Sequence, residues 1–389
     1  MSLLDALPAA LAERERQGLY RRRRVVEGRR GPLLRVEGRE LLAFCSNDYL
    51  GLADDPRLAE ALAEGARRHG TGSGAAHLIS GHGRAHHALE EELADFLGAE
   101  RALLFSTGYM ANLGVISALL GRGDSIVQDR LDHASLIDGA RLSGARLLRF
   151  RHNDPASLRR RLEQARGRVL VAVDGVFSMD GDRAPLETLA GTASAFDALL
   201  MVDDAHGIGV LGSEGRGSLD AAGLDFAQVP VYMATLGKAL GVAGAFVAGS
   251  EPLIETLIQE ARPYVYTTAM PPALAEATRT ALRIARAEAW RRERLRGLVA
   301  RFRHEAAGLG LRLWPSETPI QPILLGEAET ALAWSRALEA RGILVSAIRP
   351  PTVPRGGARL RVTFSAAHGE ADLDRLLEAL AEVQRELGP

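Results

Sequence analysis

Apolar and polar positions along the chain fall into three regimes. In the first, residues 3–24 space their apolar side chains at helical intervals and predict a helix. "LLRVEG" and "ELLAFC" then read as two short strands around Gly38, with a turn before "SNDYLGL" and a helix at about 56–69. In the second, from about residue 100, short apolar runs alternate with helical stretches. "RALLFS", "DSIVQD", "ARLLRF", "RVLVAVDGV", "ALLMVDDAH", "VPVYMATLG" and "GAFVAGS" are the strands. A stretch from Gly108 to before Gly121, "HASLIDGARLS", "DPASLRRRLEQA" and "LETLAGTASAF" are helices between them. Near-continuous apolar strands alternating with helices predict a mostly parallel sheet covered on both faces. In the third, residues 272–309 read as a long helical region. The strands "IQPILLG", "ILVSAI" and "RLRVTFSA" follow, with helices at about 328–341 and 370–386.

This order predicts an α/β fold with a large domain over residues 51–285 and a smaller α+β domain over 286–389. Residues 1–50 are expected to join the small domain.

Composition narrows the function classes. The chain has 389 residues, 47% hydrophobic and 25% charged, as expected of a globular protein with a sizeable core. A net charge of −1 supplies no field for nucleic acid or anionic membrane. Cys45 is the only cysteine, so no intramolecular disulfide forms, which fits a reducing compartment. No apolar run reaches the roughly 20 residues a bilayer span needs, and the first residues have no signal-peptide pattern. The expected location is cytoplasmic. The basic run Arg21 to Arg24 reads as a solvated helix end, with one arginine left to reach an anionic ligand.

Open α/β sheets bind ligands at the carboxyl ends of their strands. Ser106, Thr107, Asp129, His133, Ser178, Asp203 to His206, Thr235 and Lys238 fall there. Lys238 is the only lysine; the other basic residues of the 48 Lys plus Arg are arginine. Arginine replaces lysine in ion pairs, surface cover and phosphate binding, but guanidinium stays protonated and is no amine nucleophile. A lysine retained in the apolar, Gly-rich turn "ATLGKALG" therefore points to Schiff-base chemistry. Asp203 and Asp204 end a strand and face opposite sides. One is free to keep a pyridine nitrogen protonated, though a turn or N-cap role is open as well. "STGYMANLG" opens a helix after a strand and is either a capped helix or a phosphate cradle. "GTGSGAAHLISGHG" follows a helix, not a strand, which rejects a dinucleotide fingerprint and leaves a flexible Gly-rich loop. His82, His86, His87, His133 and His206 offer no convincing ligand set, so no metal is expected.

An ordered set of motifs goes further. "SNDYLGL", "GSG", "ALEEELADFLGAE", "DHASLIDG", "DGVFSMDGD", "VDDAHGIGVLG", "TLGKALG", "YTTAMPP" and "RPPTVPRGGARLRVTFSA" follow one another over nearly the whole chain. Together they resemble the α-oxoamine synthases, pyridoxal-phosphate (PLP) transferases of fold type I. The resemblance implies that Lys238 holds the cofactor and, once freed, acts as general base. It implies that Asp203 pairs with the pyridine nitrogen and His133 stacks on the ring. His206 and Ser178 would lie near the phenolic oxygen, and Gly108, Tyr109 and Thr235 at the phosphate. His133 and His206 would share in proton handling. Arg21, Thr352 and Arg361 would bind substrate carboxyl or acyl groups, with Asn47 and His133 nearby. The tail "SAIRPPTVP" with "TPIQPILLG" looks most like the branch that condenses L-alanine with pimeloyl-CoA or pimeloyl-acyl carrier protein. Sister enzymes using glycine with succinyl- or acetyl-CoA, and a non-catalytic cofactor-binding module, are the rivals. A homodimer is implied. Two departures stand out: "SGAAH" replaces a small-small-Arg pattern, and Asp132 precedes the stacking histidine where an uncharged residue is common.

Overall fold

In the computed structural model, residues 2–17 and 19–388 are described. The first helix, Leu3–Arg16, starts at a capping box in which the Ser2 hydroxyl accepts from the Asp5 N–H and the Asp5 carboxylate from the Ser2 N–H. It ends earlier than its apolar spacing suggests. The arginine run therefore lies in an extended segment, not a helix end. Arg22 pairs with Glu15 at 2.6 Å, and Arg24 with Glu37 and Glu339 at 3.2 and 2.7 Å.

Three N-terminal strands follow: β1 (Val26–Arg30), β2 (Leu33–Val36) and β3 (Arg39–Ala43), in an antiparallel meander. The predicted strand–helix series then builds one sheet. Its strands are β4 (Arg101–Phe105), β5 (Ser125–Asp129), β6 (Arg146–Phe150), β7 (Val169–Asp174), β8 (Leu199–Asp203), β9 (Val231–Thr235) and β10 (Ala245–Gly249). The spatial order is β4-β10-β9-β8-β7-β5-β6, and β10 alone runs antiparallel to its neighbours. Both faces are covered, which explains the unbroken apolar runs. Alternate side chains such as Ile126, Leu170 and Met201 pack toward Val115, Ile116 and Leu257 on one face. Val127, Val171 and Val202 point into the larger core on the other. Each such aliphatic side chain contributes roughly 1.5–3 kcal/mol by leaving water.

The C-terminal strands are β11 (Ile320–Gly326), β12 (Ile343–Leu344), β13 (Ser346–Ile348) and β14 (Ala358–Thr363). "ILVSAI", expected as one strand, is two. β12 pairs in parallel with β3, whereas β13 pairs with β14 in the sheet β11-β14-β13. Val345, buried between them, is where the chain changes partners. The long helical region is likewise two helices, Pro272–Ala287 and Trp290–Gly308. Glu288 leaves the helical conformation at the break, where its carboxylate accepts from Arg57 (2.5 Å) and Arg291 (2.8 Å). Among the described residues, no helix is long and apolar enough to cross a membrane.

Candidate active site

The carboxyl ends of β7, β8 and β9, with the segments after β4 and β5, surround a cavity of about 220 Å³. Gly108, Tyr109, His133, Ser178, Asp203, His206, Thr235 and Lys238 all line it. Each arrives from local structure legible in the sequence. The apolar run of β4 ends at Ser106, and Thr107 caps the helix Gly108–Leu119 by accepting from the Met110 N–H at 3.1 Å. The first-turn N–H groups of that helix have no intrahelical partner and meet the cavity beside Thr235. The turn carrying Lys238 closes at Gly241, which has φ +68°. A Cβ there would lie 2.5 Å from the Ala53 nitrogen, so only glycine lets the lysine turn pack on the end of "SNDYLGL".

Four side chains form a hydrogen-bonded row ending at the amine. Lys238 Nζ lies 2.9 Å from His206 Nε2. His206 Nδ1 lies 2.5 Å from the Tyr49 hydroxyl, which is 3.3 Å from Asn47 Oδ1. Desolvation lowers the Lys238 ammonium below the ordinary lysine value, against the pull of Asp203 and Asp174. Burial, then the nearby Lys238 charge, pushes His206 well below the usual imidazole range. Burial pushes Tyr49 up to about 12. At neutral pH the imidazole is thus neutral and the phenol protonated.

The two adjacent acids divide as alternation requires. Asp203 faces the cavity, where Asn112 Nδ2 donates to its Oδ2 at 2.7 Å and the Ala205 N–H to its Oδ1 at 3.0 Å. Asp204 turns away and accepts from the Ser218 N–H (2.7 Å) and hydroxyl and from Tyr232 (2.8 Å). His133 is fixed by its own N–H donating to Asp174 Oδ2 at 3.1 Å and by Ser135 Oγ 2.7 Å from its Nδ1. The unexpected Asp132 is buried and accepts from the Asp174 N–H at 3.1 Å. Burial, then repulsion by Asp174, raises the Asp132 carboxyl well above the usual range; burial, then repulsion by Asp203, does the same to Asp174.

The five predicted substrate residues separate into two groups, with His133, Asn47 and Arg361 at the Lys238 cavity. Arg361 is buried in the site's wall, where it donates to the Ser178 carbonyl (2.6 Å), Thr363 (2.9 Å) and Asn47 Oδ1 (3.2 Å). Arg21 and Thr352 instead line a separate surface cleft of about 240 Å³ with Arg14, Leu19 and residues 347–351. The Gly-rich segment is anchored rather than loose. Ser73 donates to the Met270 carbonyl at 2.7 Å, the Ala269 N–H to the Ala75 carbonyl at 2.9 Å, and residues 77–81 form one π-helical turn.

Sequence reasoning missed Asn112, Ser135, Asp174 and Tyr49. Asp174 carried a signal, a polar residue closing the apolar run "VLVAVD". Tyr49 sits inside a quoted motif. Asn112 and Ser135 are ordinary helix residues by sequence; packing brings Asn112 to Asp203 and to Ser135, while Ser135 meets His133 two residues earlier in the chain.

Chemically, this is a receptor for a flat ring with three handles. The amine of Lys238 takes a carbonyl. Asp203 suits a protonated ring nitrogen. The helix N-terminus with Thr235 suits a phosphate. The buried Asn112 Oδ1, without a partner among the described residues, leaves one acceptor for a ligand.

The family model described as "Aminotransferase class I and II" matches residues 39–380. An 8-amino-7-oxononanoate synthase from Thioalkalivibrio sulfidiphilus is 62% identical over 97% of this chain and 97% of its own length. A serine palmitoyltransferase from S. paucimobilis, solved with PLP bound, superposes with a TM-score of 0.94 over 100% of both chains at 31% identity. An 8-amino-7-oxononanoate synthase structure from Francisella tularensis gives 0.78 at 33% identity, covering 89% of this chain and 98% of that one.

Proposed function

The chain belongs to the class I and II aminotransferase family, fold type I enzymes that use PLP, and from that premise we propose that it makes 8-amino-7-oxononanoate for biotin synthesis. The reaction condenses L-alanine with a pimeloyl thioester and releases carbon dioxide and the free carrier thiol. The observation that carries this reading is the solitary Lys238 amine, whose charged form burial disfavours, in a cavity that Asp203 also lines. The 62% identical relative gives the reaction its substrate.

When bound, PLP supplies the electron sink for a carbanion at the amino acid's α-carbon. The chain supplies the rest. Lys238 would hold the cofactor's carbonyl carbon, and its Nζ would serve as the base that takes the α-proton of alanine. His206 Nε2, 2.9 Å away, fixes the amine, and Tyr49, itself 3.3 Å from Asn47 Oδ1, holds the His206 ring in place. Asp203 keeps the ring nitrogen protonated, and Asn112 keeps Asp203 aimed at it. His133 covers the ring, held from behind by Ser135 and Asp174. Ser178 reaches toward the phenolic oxygen, and Gly108, Tyr109 and Thr235 hold the phosphate. Arg361 positions Asn47 and the Ser178 backbone, while Arg21 and Thr352 receive the acyl donor's carboxylate.

The enzyme acts as a cytoplasmic homodimer. Leu3, Leu4, Leu7 and Leu11 are all exposed on the first helix, a surface that a second copy would cover. The deciding assay offers the purified protein alanine or glycine against pimeloyl, succinyl and acetyl thioesters. Product and free thiol are expected with alanine and pimeloyl-CoA or its acyl carrier protein equivalent. Faster turnover of glycine with a short acyl donor would overturn the reading.

A further inference from the structure

Away from the Lys238 cavity, four histidines crowd between residues 77 and 87. The sequence reading weighed them without a carboxylate. The fold supplies one: Glu90, one helical turn after His87 on the helix Arg84–Leu97. Ligand atoms of His82, His87 and Glu90 all come within 4.8 Å of one another. We propose that His82, His87 and Glu90 form a binding site for a divalent transition-metal ion of the Zn²⁺ class.

Geometry carries the inference. Tetrahedral zinc holds nitrogen at about 2.0–2.1 Å and carboxylate oxygen at about 2.0–2.2 Å, which places neighbouring ligand atoms roughly 3.3–3.5 Å apart. His82 Nε2 and Glu90 Oε2 are already 3.8 Å apart. His87 is the exposed member, so the closing movement falls on it; its Nε2 now lies 3.3 Å from Glu91 Oε1, a surface contact that metal binding would exchange. Two imidazoles and one carboxylate with a fourth position open suit zinc.

Outer contacts orient these groups as they do in metal centres. Glu90 Oε1 accepts from the Leu104 N–H at 3.0 Å, which leaves Oε2 to the ion. His82 Nδ1 lies 3.0 Å from His77 Nδ1, which leaves Nε2, and the His77 ring stacks on Tyr264 at 4.8 Å. Glu90 is buried, and no arginine or lysine pairs with it among the described residues. Burial pushes the Glu90 carboxyl up to about 8, and a bound cation would displace that proton and favour the carboxylate. His86 is excluded from the set because both its ring nitrogens are engaged, one with the Gly83 N–H and one with the Met270 carbonyl. An ion here would fasten the Gly-rich segment, through His82, to the helix behind it. Nothing in this site depends on the condensation reaction.

The test uses untagged, PLP-loaded enzyme stripped with EDTA and then dialysed against Zn²⁺, with bound metal measured by elemental analysis. One ion per chain is expected. His87→Ala, an exposed change that leaves the fold alone, should weaken binding at least about tenfold, since loss of an outer-shell group alone costs about 10–100-fold. Glu90→Gln should do the same. Co²⁺ should give a tetrahedral absorption band in the wild type that His87→Ala removes. Zinc retained equally by wild type and by the His82→Ala/His87→Ala double variant, or by neither, overturns the proposal.

Discussion

The Lys238 cavity and the Arg21–Thr352 cleft are built by opposite means. The cavity gathers the ends of adjacent strands of one buried sheet, and its groups hold one another: Asn112 on Asp203, Ser135 on His133, Tyr49 on His206. The cleft joins exposed and half-buried residues from both ends of the chain, Arg14, Leu19 and Arg21 on one side and residues 347–352 on the other. Bond-making groups must be held to fractions of an ångström, so they sit on rigid elements. Recognition of an acyl tail tolerates, and profits from, side chains that adjust. The comparison teaches where to expect chemistry and where to expect selectivity.

Predictions follow that division, in descending size. Lys238→Ala should lower turnover at least about 10³-fold and remove the borohydride-reducible link to PLP. Lys238→Arg should be equally inactive, because the guanidinium cannot replace the amine. An active arginine variant would break the cavity's half of the comparison. Asp203→Asn should cost about 10²–10³-fold, the scale of a lost electrostatic partner in a dry site. Asn112→Ala should cost about tenfold, as loss of a hydrogen bond to a charged group does. It should also shift the bound cofactor's absorbance, which a merely structural defect would not. In the cleft, Arg21→Ala should raise KM for the pimeloyl donor about tenfold while kcat stays unchanged, the mark of lost uniform binding. A kcat loss there would assign the cleft to the chemistry.

The finest test concerns protons. Labelling of the apo-protein's one side-chain amine should rise with pH with its half-maximum below 10.5, the direction in which burial moves Lys238. A half-maximum at or above that pH would contradict the desolvated amine.

How legible all this was in the sequence follows from the same contrast. Residues at strand ends announce themselves, because a polar group that terminates an apolar run has few other reasons to be there. Asp203, Thr235 and Lys238 were found that way, and Asp174 was open to the same logic. Asn112 was hidden because its partner Asp203 comes from a distant strand, whereas Ser135 lies two residues after His133 and was open to a local reading. The split of "ILVSAI" was hidden too, since both halves are equally apolar and only their partner strands differ. The helix break at Glu288 depends on Arg57, far away in sequence. Arg21 and Arg361, grouped by the resemblance, part company because one lies in an exposed N-terminal segment and the other in the middle of β14.

The parallel pairing of Leu42 with Ile343 has a consequence for how the molecule is made. Its partners are roughly 300 residues apart. At typical ribosomal speeds of about 5–20 residues per second, β3 emerges about 15–60 s before the strand that covers its edge exists. During that interval an apolar strand with an open hydrogen-bonding edge waits at the front of a growing chain. Most of the seven-stranded sheet can assemble meanwhile, since its strands all fall between residues 101 and 249. The nascent chain is thus expected to carry a finished cofactor domain and an unfinished leading end. A premature stop before Ile343 would leave that end permanently adhesive.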